Sequence, residues 1–311
     1  MRPKLLMIVP VPLAGLWLPF LEKAPIDVVV QDRDAYAPAS IDYALSFRPP
    51  HGLLKTLPNL KTIFSLGAGV DGFLSDPDLP KQIPLVRFVD DQLSTEMAQY
   101  VVLHVLMQHR QQRAFDRAQQ ESRWAQALLP RKTEDTRIGI LGLGEIGTVA
   151  GARLRELGFP VAGWSRTRKT APGIESYAGD SEFEAFLGQS DFLICLLPLT
   201  GETRGILNAR TFAMLPQGAY VINAARGGHL IEDDLVAALD SGHLAGATLD
   251  VFQTEPLPKE SPIWQHPKIV ATPHIAAISD PRVAANFVTD GIARAERGER
   301  HPNTVDVARG Y

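Results

Sequence analysis

Apolar positions along this chain come in short runs separated by turn residues, and their spacing changes twice. In residues 1–90 the runs 4–9, 28–30, 43–47, 62–65 and 85–88 have strand length, and Pro49-Pro50, Gly67-Ala68-Gly69, Pro77, Pro80 and Pro84 break the chain between them. From about 95 to 120 the period becomes helical, with Met97, Val101, His104, Val105 and Gln108 on one stripe. That pattern predicts one helix long enough to bridge two domains. From Arg137 onward, predicted strands 138–141, 161–164, 192–197, 219–223, 247–251 and 269–271 alternate with predicted helices. The helices run from the Gly-rich turn to about Leu157, stopped by Gly158, then near 182–187, then over 232–240, closed by Gly242. Strands alternating with helices predict α/β architecture with parallel, doubly wound sheets. A last helix, about 281–297, is expected to cross back to the first domain, ahead of a tail from Val305 to Tyr311.

Composition narrows the class. The chain has 311 residues, 45% of them apolar, enough for two ordinary domains. A net charge of -4 without a basic run argues against nucleic acid as a partner. Cys195 is the one cysteine, so no disulfide can form within the chain. It sits in the apolar run 191–197 and reads as inert core, which fits a reducing cytosol and a cytoplasmic location. Arg2 and Lys4 ahead of an apolar stretch to Leu21 resemble a signal peptide, but Pro10, Pro12 and Pro19 interrupt it and Glu22 and Lys23 end it. The stretch is too short and too broken to span a bilayer, so no membrane partner is expected.

The sharpest local pattern is Gly142-x-Gly144-x-x-Gly147, with an apolar strand before it and a helix after it. Gly142 permits the tight turn, Gly144 lets the backbone approach a pyrophosphate, and Gly147 lets helix and strand pack closely. Amides at the helix start, around Glu145 and Ile146, then face the phosphates. A ligand-free βα turn or a methyltransferase would show the same turn. The end of the next strand discriminates further. An NAD site carries an acid there for the ribose hydroxyls; this chain has Ser165, followed by Arg166, Arg168 and Lys169. An acid would repel a 2′-phosphate, whereas serine with arginine would bind it. The expected cofactor is NADPH (NADP+ in the reverse direction), with NADH weaker; a solvated basic loop is the plain alternative.

Three polar residues lie just past later strands: Arg226, Glu255 and His274. An Arg to hold a carboxylate, a His to carry a proton and a Glu to orient that His are what hydride chemistry on a keto acid requires. The other histidines fall on helices or in turns; His104 and His109 are five apart, wrong for a shared metal, and no Cys/His cluster exists, so no metal is expected.

Taken together, these residues resemble the D-isomer-specific 2-hydroxyacid dehydrogenase family, and within it glyoxylate/hydroxypyruvate reductases of the bacterial type. The resemblance runs over nearly the whole chain. It is carried by the motifs 66–71 (Leu-Gly-Ala-Gly-Val-Asp), the Gly-rich turn, 163–166, 196–200, 225–227, 249–252, 255–258 and 273–277. It implies a flavodoxin-like substrate domain (1–100 plus 283–311) and a Rossmann NADP-binding domain (101–282), joined by long helices and closing over a small 2-keto acid. It also implies site roles. Arg226 binds the substrate carboxylate and polarises the keto oxygen; His274 donates the proton; Glu255 pairs with His274 and favours its charged form. Main-chain amides of Ala68 and Gly69 hold the carboxylate from the other side, unless that turn is a plain strand exit. Asp250 orients the carboxamide, unless it is only a cap. Pro198, Thr203, Ala224 and Ala225 line the cofactor's path. A homodimer is implied too. The chain departs from the family's pattern at Ala98-Gln99, where an Ala-Glu pair is common. Phe47 and Arg48 read equally as a substrate-side loop, within the chain or across a dimer, or as an ordinary packed Phe and solvated Arg.

Overall fold

The computed structural model of the protein describes residues 2–126 and 131–310. Met1, residues 127–130 and Tyr311, the last residue of the expected tail, lie outside the described residues. The chain divides into two compact units, Met1–Asp90 with Ser279–Tyr311, and Asp91–Ile278.

In the first unit, the described strands β1 (Lys4–Ile8), β2 (Asp27–Val30), β3 (Tyr43–Ser46), β4 (Thr62–Ser65) and β5 (Leu85–Val86) form a parallel sheet in the order β2-β1-β3-β4-β5. This is a doubly wound, flavodoxin-like order. Buried Leu5, Leu6, Met7, Ala44 and Leu45 make its centre a near-continuous apolar run, as a sheet covered on both faces demands. Three of these strands end earlier than the apolar runs suggested, so Val9, Phe47 and Phe88 lie beyond them. The helix Val11–Leu21 was not foreseen, because Pro10, Pro12 and Pro19 read as breakers. Pro12 falls in the first turn, where no main-chain donor is needed, and Ala14, Trp17 and Leu21 bury a face against the helix Pro281–Glu296. Asp280 caps that C-terminal helix, accepting from the amides of Arg282 and Val283.

In the second unit, the described strands β6 (Ile138–Leu141), β7 (Val161–Ser165), β8 (Glu175–Ala178), β9 (Phe192–Cys195), β10 (Ala219–Asn223), β11 (Leu244–Leu249) and β12 (Ile269–Ala271) pair in parallel in the order β12-β11-β10-β9-β6-β7-β8. The winding reverses between β6 and β9, and ligands of such sheets bind at the strands' carboxyl ends beside that switch point. The β11 strand spans 244–249, not 247–251, which releases Asp250 and Val251 into the loop beyond it. The edge strand β8 escaped the sequence because its partly exposed residues form no apolar run.

The single helix expected over 95–120 is two helices, Asp91–His109 and Gln112–Gln120. Gln111 breaks them by taking a left-handed conformation, φ 55°. No Gly or Pro marks the break. The first of the two buries Leu93, Ala98, Val101 and Val105 and packs on the helix Glu145–Glu156.

Asp191, just before β9, has a side chain only 7% exposed and accepts hydrogen bonds from the Arg137 main chain (2.8 Å), from Arg137 Nε (3.0 Å) and from Arg131 (3.0 Å). Burial alone would push its carboxyl up; the bonds from Arg137 and Arg131 outweigh that and hold it below the usual carboxylate range. The stabilisation is therefore complete above the unfolded value of about 3.9 and is lost as pH falls through the depressed folded value. Asp191→Asn should cost about 2 kcal/mol at pH 7. Thermal melts should show that deficit at neutral pH and a closing gap in acid; equal melting temperatures at pH 7 would show that the pairing contributes nothing.

Candidate active site

The turn after β6 is shaped by its three glycines. Gly142 has φ +106°, and a Cβ there would meet the Leu196 carbonyl at 2.9 Å. A Cβ on Gly147 would lie 1.9 Å from the Gly142 carbonyl, so only Gly lets the helix start so close to the strand. A Cβ on Gly144 would meet nothing within 4 Å. Gly144 is also the N-cap of Glu145–Glu156 and offers no capping side chain. Open space in front of uncapped first-turn amides, Glu145 and Ile146 among them, fits the pyrophosphate of a dinucleotide.

Ser165 closes β7. Its buried hydroxyl accepts from the Leu143 amide at 3.0 Å, which ties the strand end to the Gly-rich turn and leaves the hydroxyl proton available for an outside acceptor. The three cations that follow are not equivalent. Arg168 is engaged by the Ser176 carbonyl and by Glu182 at 2.5 Å, so it braces β8. Arg166 is half exposed and 3.5 Å from Glu202. Lys169 is exposed, and its amide donates to Ser176 (3.2 Å).

The loop after β9 is folded on itself: Thr203 donates its hydroxyl to the Pro198 carbonyl (2.7 Å) and accepts from the Thr200 amide (2.8 Å). After β10, Ala224 and Ala225 are buried and Arg226 is half-buried, its guanidinium 2.7 Å from the Ala225 carbonyl. Asn223 secures this turn from both sides, accepting from the Ala225 amide (3.2 Å) and donating to the Arg226 carbonyl (3.1 Å). The fully buried His229 lies 3.1 Å from the Arg226 carbonyl and 3.3 Å from that of Pro198. Neither residue had stood out in the sequence, where Asn223 only ends a predicted strand and His229 reads as one of the histidines in turns or at helix ends.

Beyond β11 and β12 come the other two. His274 Nδ1 is 2.8 Å from Glu255 Oε2, and Glu255 Oε1 accepts from the Phe252 amide at 3.0 Å. The two side chains are 47% and 36% exposed, so the pair is open to an incoming molecule. With Nδ1–H given to the carboxylate, Nε2 is the nitrogen left to exchange a proton with a substrate. Gly227 abuts the Phe252 main chain, so the Arg226 turn touches the loop that carries Glu255. Asp250, 1% exposed, is a loop former: its carboxylate accepts from Thr272 Oγ1 (2.6 Å) and from the amides of Ile275 and Ala276 (2.9 Å each).

In the first unit, the Ser65 hydroxyl lies 2.9 Å and 3.2 Å from the carbonyls of Gly67 and Gly69 and pins the turn that holds Ala68 and Gly69. The partly exposed Phe47 ring would be 3.4 Å from a Cβ on Gly67; Arg48 lies against Gly72. Among the described residues no cluster of three or more His, Cys, Asp or Glu could hold a metal, and no helix is long and apolar enough to cross a membrane. Burial pushes the Cys195 thiol up to about 12, which makes it inert.

Comparison with known proteins shows what the chain is similar to. Residues 102–276 match the family model "D-isomer specific 2-hydroxyacid dehydrogenase, NAD binding domain". A D-isomer-specific 2-hydroxyacid dehydrogenase from Xanthobacter autotrophicus Py2, crystallised with NADPH and MES, is 42% identical over 100% of both chains, with a TM-score of 0.94. An NADPH-dependent glyoxylate/hydroxypyruvate reductase from Sinorhizobium meliloti, crystallised with NADP and sulfate, is 40% identical over 100% of both chains (TM-score 0.92). A probable 2-hydroxyacid dehydrogenase from Rhizobium etli CFN 42, crystallised with NADP, HEPES and L(+)-tartaric acid, is 39% identical over 100% of both chains (TM-score 0.91).

Proposed function

Because the chain belongs to the D-isomer-specific 2-hydroxyacid dehydrogenase family, we propose that it uses NADPH to reduce small 2-keto acids, glyoxylate to glycolate and hydroxypyruvate to D-glycerate. The observation that carries this reading is the open His274–Glu255 pair, 2.8 Å apart, beside an Arg226 turn on the same sheet edge. The named activity of the Sinorhizobium protein supports the substrate class.

When bound, NADPH supplies the hydride. Arg226 holds the substrate carboxylate and draws charge from the keto oxygen; in the first unit the amides of Ala68 and Gly69 are the proposed second carboxylate donors. Glu255 fixes the His274 ring through Nδ1, and Nε2 gives its proton to the oxygen as the carbonyl is reduced. The first-turn amides around Gly144, Glu145, Ile146 and Gly147 hold the pyrophosphate. Ser165 and Arg166 hold the 2′-phosphate, with Lys169 adding charge, while Arg168 braces the loop from behind. Pro198, Thr203, Ala224 and Ala225 line the cofactor's path, and Asp250 sits at the carboxamide end. A homodimer in the cytoplasm belongs to the same proposal.

Steady-state kinetics with glyoxylate, hydroxypyruvate, pyruvate and phenylpyruvate test it, using NADPH and NADH in parallel. Fast NADPH oxidation with the first two is expected. Preference for phenylpyruvate would keep the mechanism and enlarge the pocket, and tight NADPH binding without turnover would make the protein a nucleotide sensor. Arg166→Ala should raise the NADPH KM about 10- to 100-fold, the worth of a charge-assisted phosphate contact, and leave the NADH KM unchanged. An unchanged NADPH KM would sink the cofactor assignment.

A further inference from the structure

We infer that Tyr100 and Thr272 are positioning residues for His274, acting through the buried carboxylate of Asp250. The inference builds on the proposed role of His274, but its geometry stands independently of it.

His274 has φ 55°, a left-handed conformation that a non-Gly residue keeps only when its surroundings impose it. Asp250 is what imposes it. The His274 amide lies 2.8 Å from the Asp250 carbonyl, and the next two amides, of Ile275 and Ala276, donate to the two oxygens of the Asp250 carboxylate. One buried residue therefore grips the main chain at His274 and just beyond it.

The orientation of Asp250 is set in turn by a chain of hydroxyls whose direction is forced. An ionised carboxylate can only accept, so Thr272 Oγ1, at 2.6 Å, must donate to Oδ1. A hydroxyl has one proton. The Tyr100 hydroxyl, 2.7 Å from Thr272 Oγ1, must therefore be the donor in that contact. Burial raises the Tyr100 phenol well above its ordinary value, so it keeps its proton at any working pH. The chain runs Tyr100 to Thr272 to Asp250 to the amides beyond His274.

Tyr100 is itself fixed. Its ring packs on His104 at 4.3 Å between centroids, and burial holds that imidazole below its ordinary value, in the neutral form. His104 Nδ1 lies 3.4 Å from Thr248 Oγ1, which meets the Tyr220 hydroxyl at 2.9 Å. Glu96, on the same helix as Tyr100, accepts from the Ile278 amide at 3.2 Å. The helix Asp91–His109 thus fastens the 272–278 segment at both ends. Without the Tyr100 proton, Thr272 is free to turn its own proton away from Asp250. Oδ1 then loses a donor, and the left-handed His274 loses the restraint that aligns its ring with Glu255.

The test compares wild type with Tyr100→Phe, Thr272→Val, the double variant and Thr272→Ser. It uses kinetics with NADPH and hydroxypyruvate, together with amide hydrogen exchange of segment 272–278. Tyr100→Phe and Thr272→Val should each lower kcat about tenfold with the NADPH KM within about twofold, because neither is among the residues proposed to hold the cofactor's phosphates. The double variant should be no worse than Thr272→Val alone, since both cut one chain, and Thr272→Ser should restore most of the rate. Exchange at Ile275 and Ala276 should speed up about tenfold in Tyr100→Phe and in Thr272→Val. Unchanged kcat and unchanged exchange in folded Tyr100→Phe and Thr272→Val overturn the inference, as do additive losses in the double variant. If wild type shows no turnover, the functional reading fails while exchange still decides the inference: faster exchange in both variants upholds the restraint on His274, and unchanged exchange removes it.

Discussion

His274→Ala is expected to lower kcat by roughly 10²–10⁴-fold, the usual contribution of a positioned general acid, and to leave NADPH affinity nearly unchanged. The split follows from the geometry. The ring is directed by Glu255 at 2.8 Å and is 47% exposed, and it follows β12, which β11, β10 and β9 separate from β6 and its glycine turn. Alanine removes the proton donor while the main chain at 274 stays tied to the Asp250 carbonyl at 2.8 Å. Glu255→Gln should be milder, since an amide can still accept from Nδ1. Rapid-mixing measurements of NADPH oxidation by the His274→Ala enzyme check the prediction; a wild-type rate would remove His274 from the mechanism.

Gly227→Ala should be the most damaging methyl that can be added near this site. The new Cβ would lie 1.8 Å from the Phe252 carbonyl oxygen, 1.9 Å from its carbon and 2.5 Å from the Gln253 nitrogen. All three are main-chain atoms, so no side chain can swing aside. Gly227 needs no left-handed φ; the constraint is contact alone. Relief requires parting the Arg226 turn from the β11 exit loop, and the Phe252 amide in that loop is what holds Glu255. We expect a loss of about 3 kcal/mol, the upper end for overpacking a rigid site, and a melting temperature lower by about 6–12 °C. Activity should fall at least tenfold even where the protein remains folded, because Arg226 and Glu255 are displaced from one another. Calorimetry with kinetics on the same sample is the check; wild-type stability and rate would show that the two loops are not packed as described.

How far the sequence could be read depended on whether a feature is local. The parallel, doubly wound architecture was legible because buried strands leave apolar runs, and β4, β6, β10 and β12 match those runs residue for residue. The glycine turn was legible because its three positions are five residues apart in all, each doing a different steric task. Features that depend on distant partners were not. Arg168 looks identical to Arg166 in the sequence, and only Glu182 and the unforeseen β8 set it apart. Thr272 gave no signal because its partner Tyr100 lies 172 positions away. Asp250 read as a cofactor contact or a cap, and its three hydrogen-bond donors come from residues 272–276, across β12. The break at Gln111 is a backbone choice that composition does not record. Helix Val11–Leu21 was hidden by prolines whose positions, rather than their number, decide the cost.

The most direct test of the central claim is a stoichiometric one: purified protein with NADPH and hydroxypyruvate, following nicotinamide oxidation together with the amount and handedness of the glycerate formed. The account predicts one D-glycerate for each NADPH consumed. NADPH that binds without being oxidised, or glycerate of the L configuration, would contradict it.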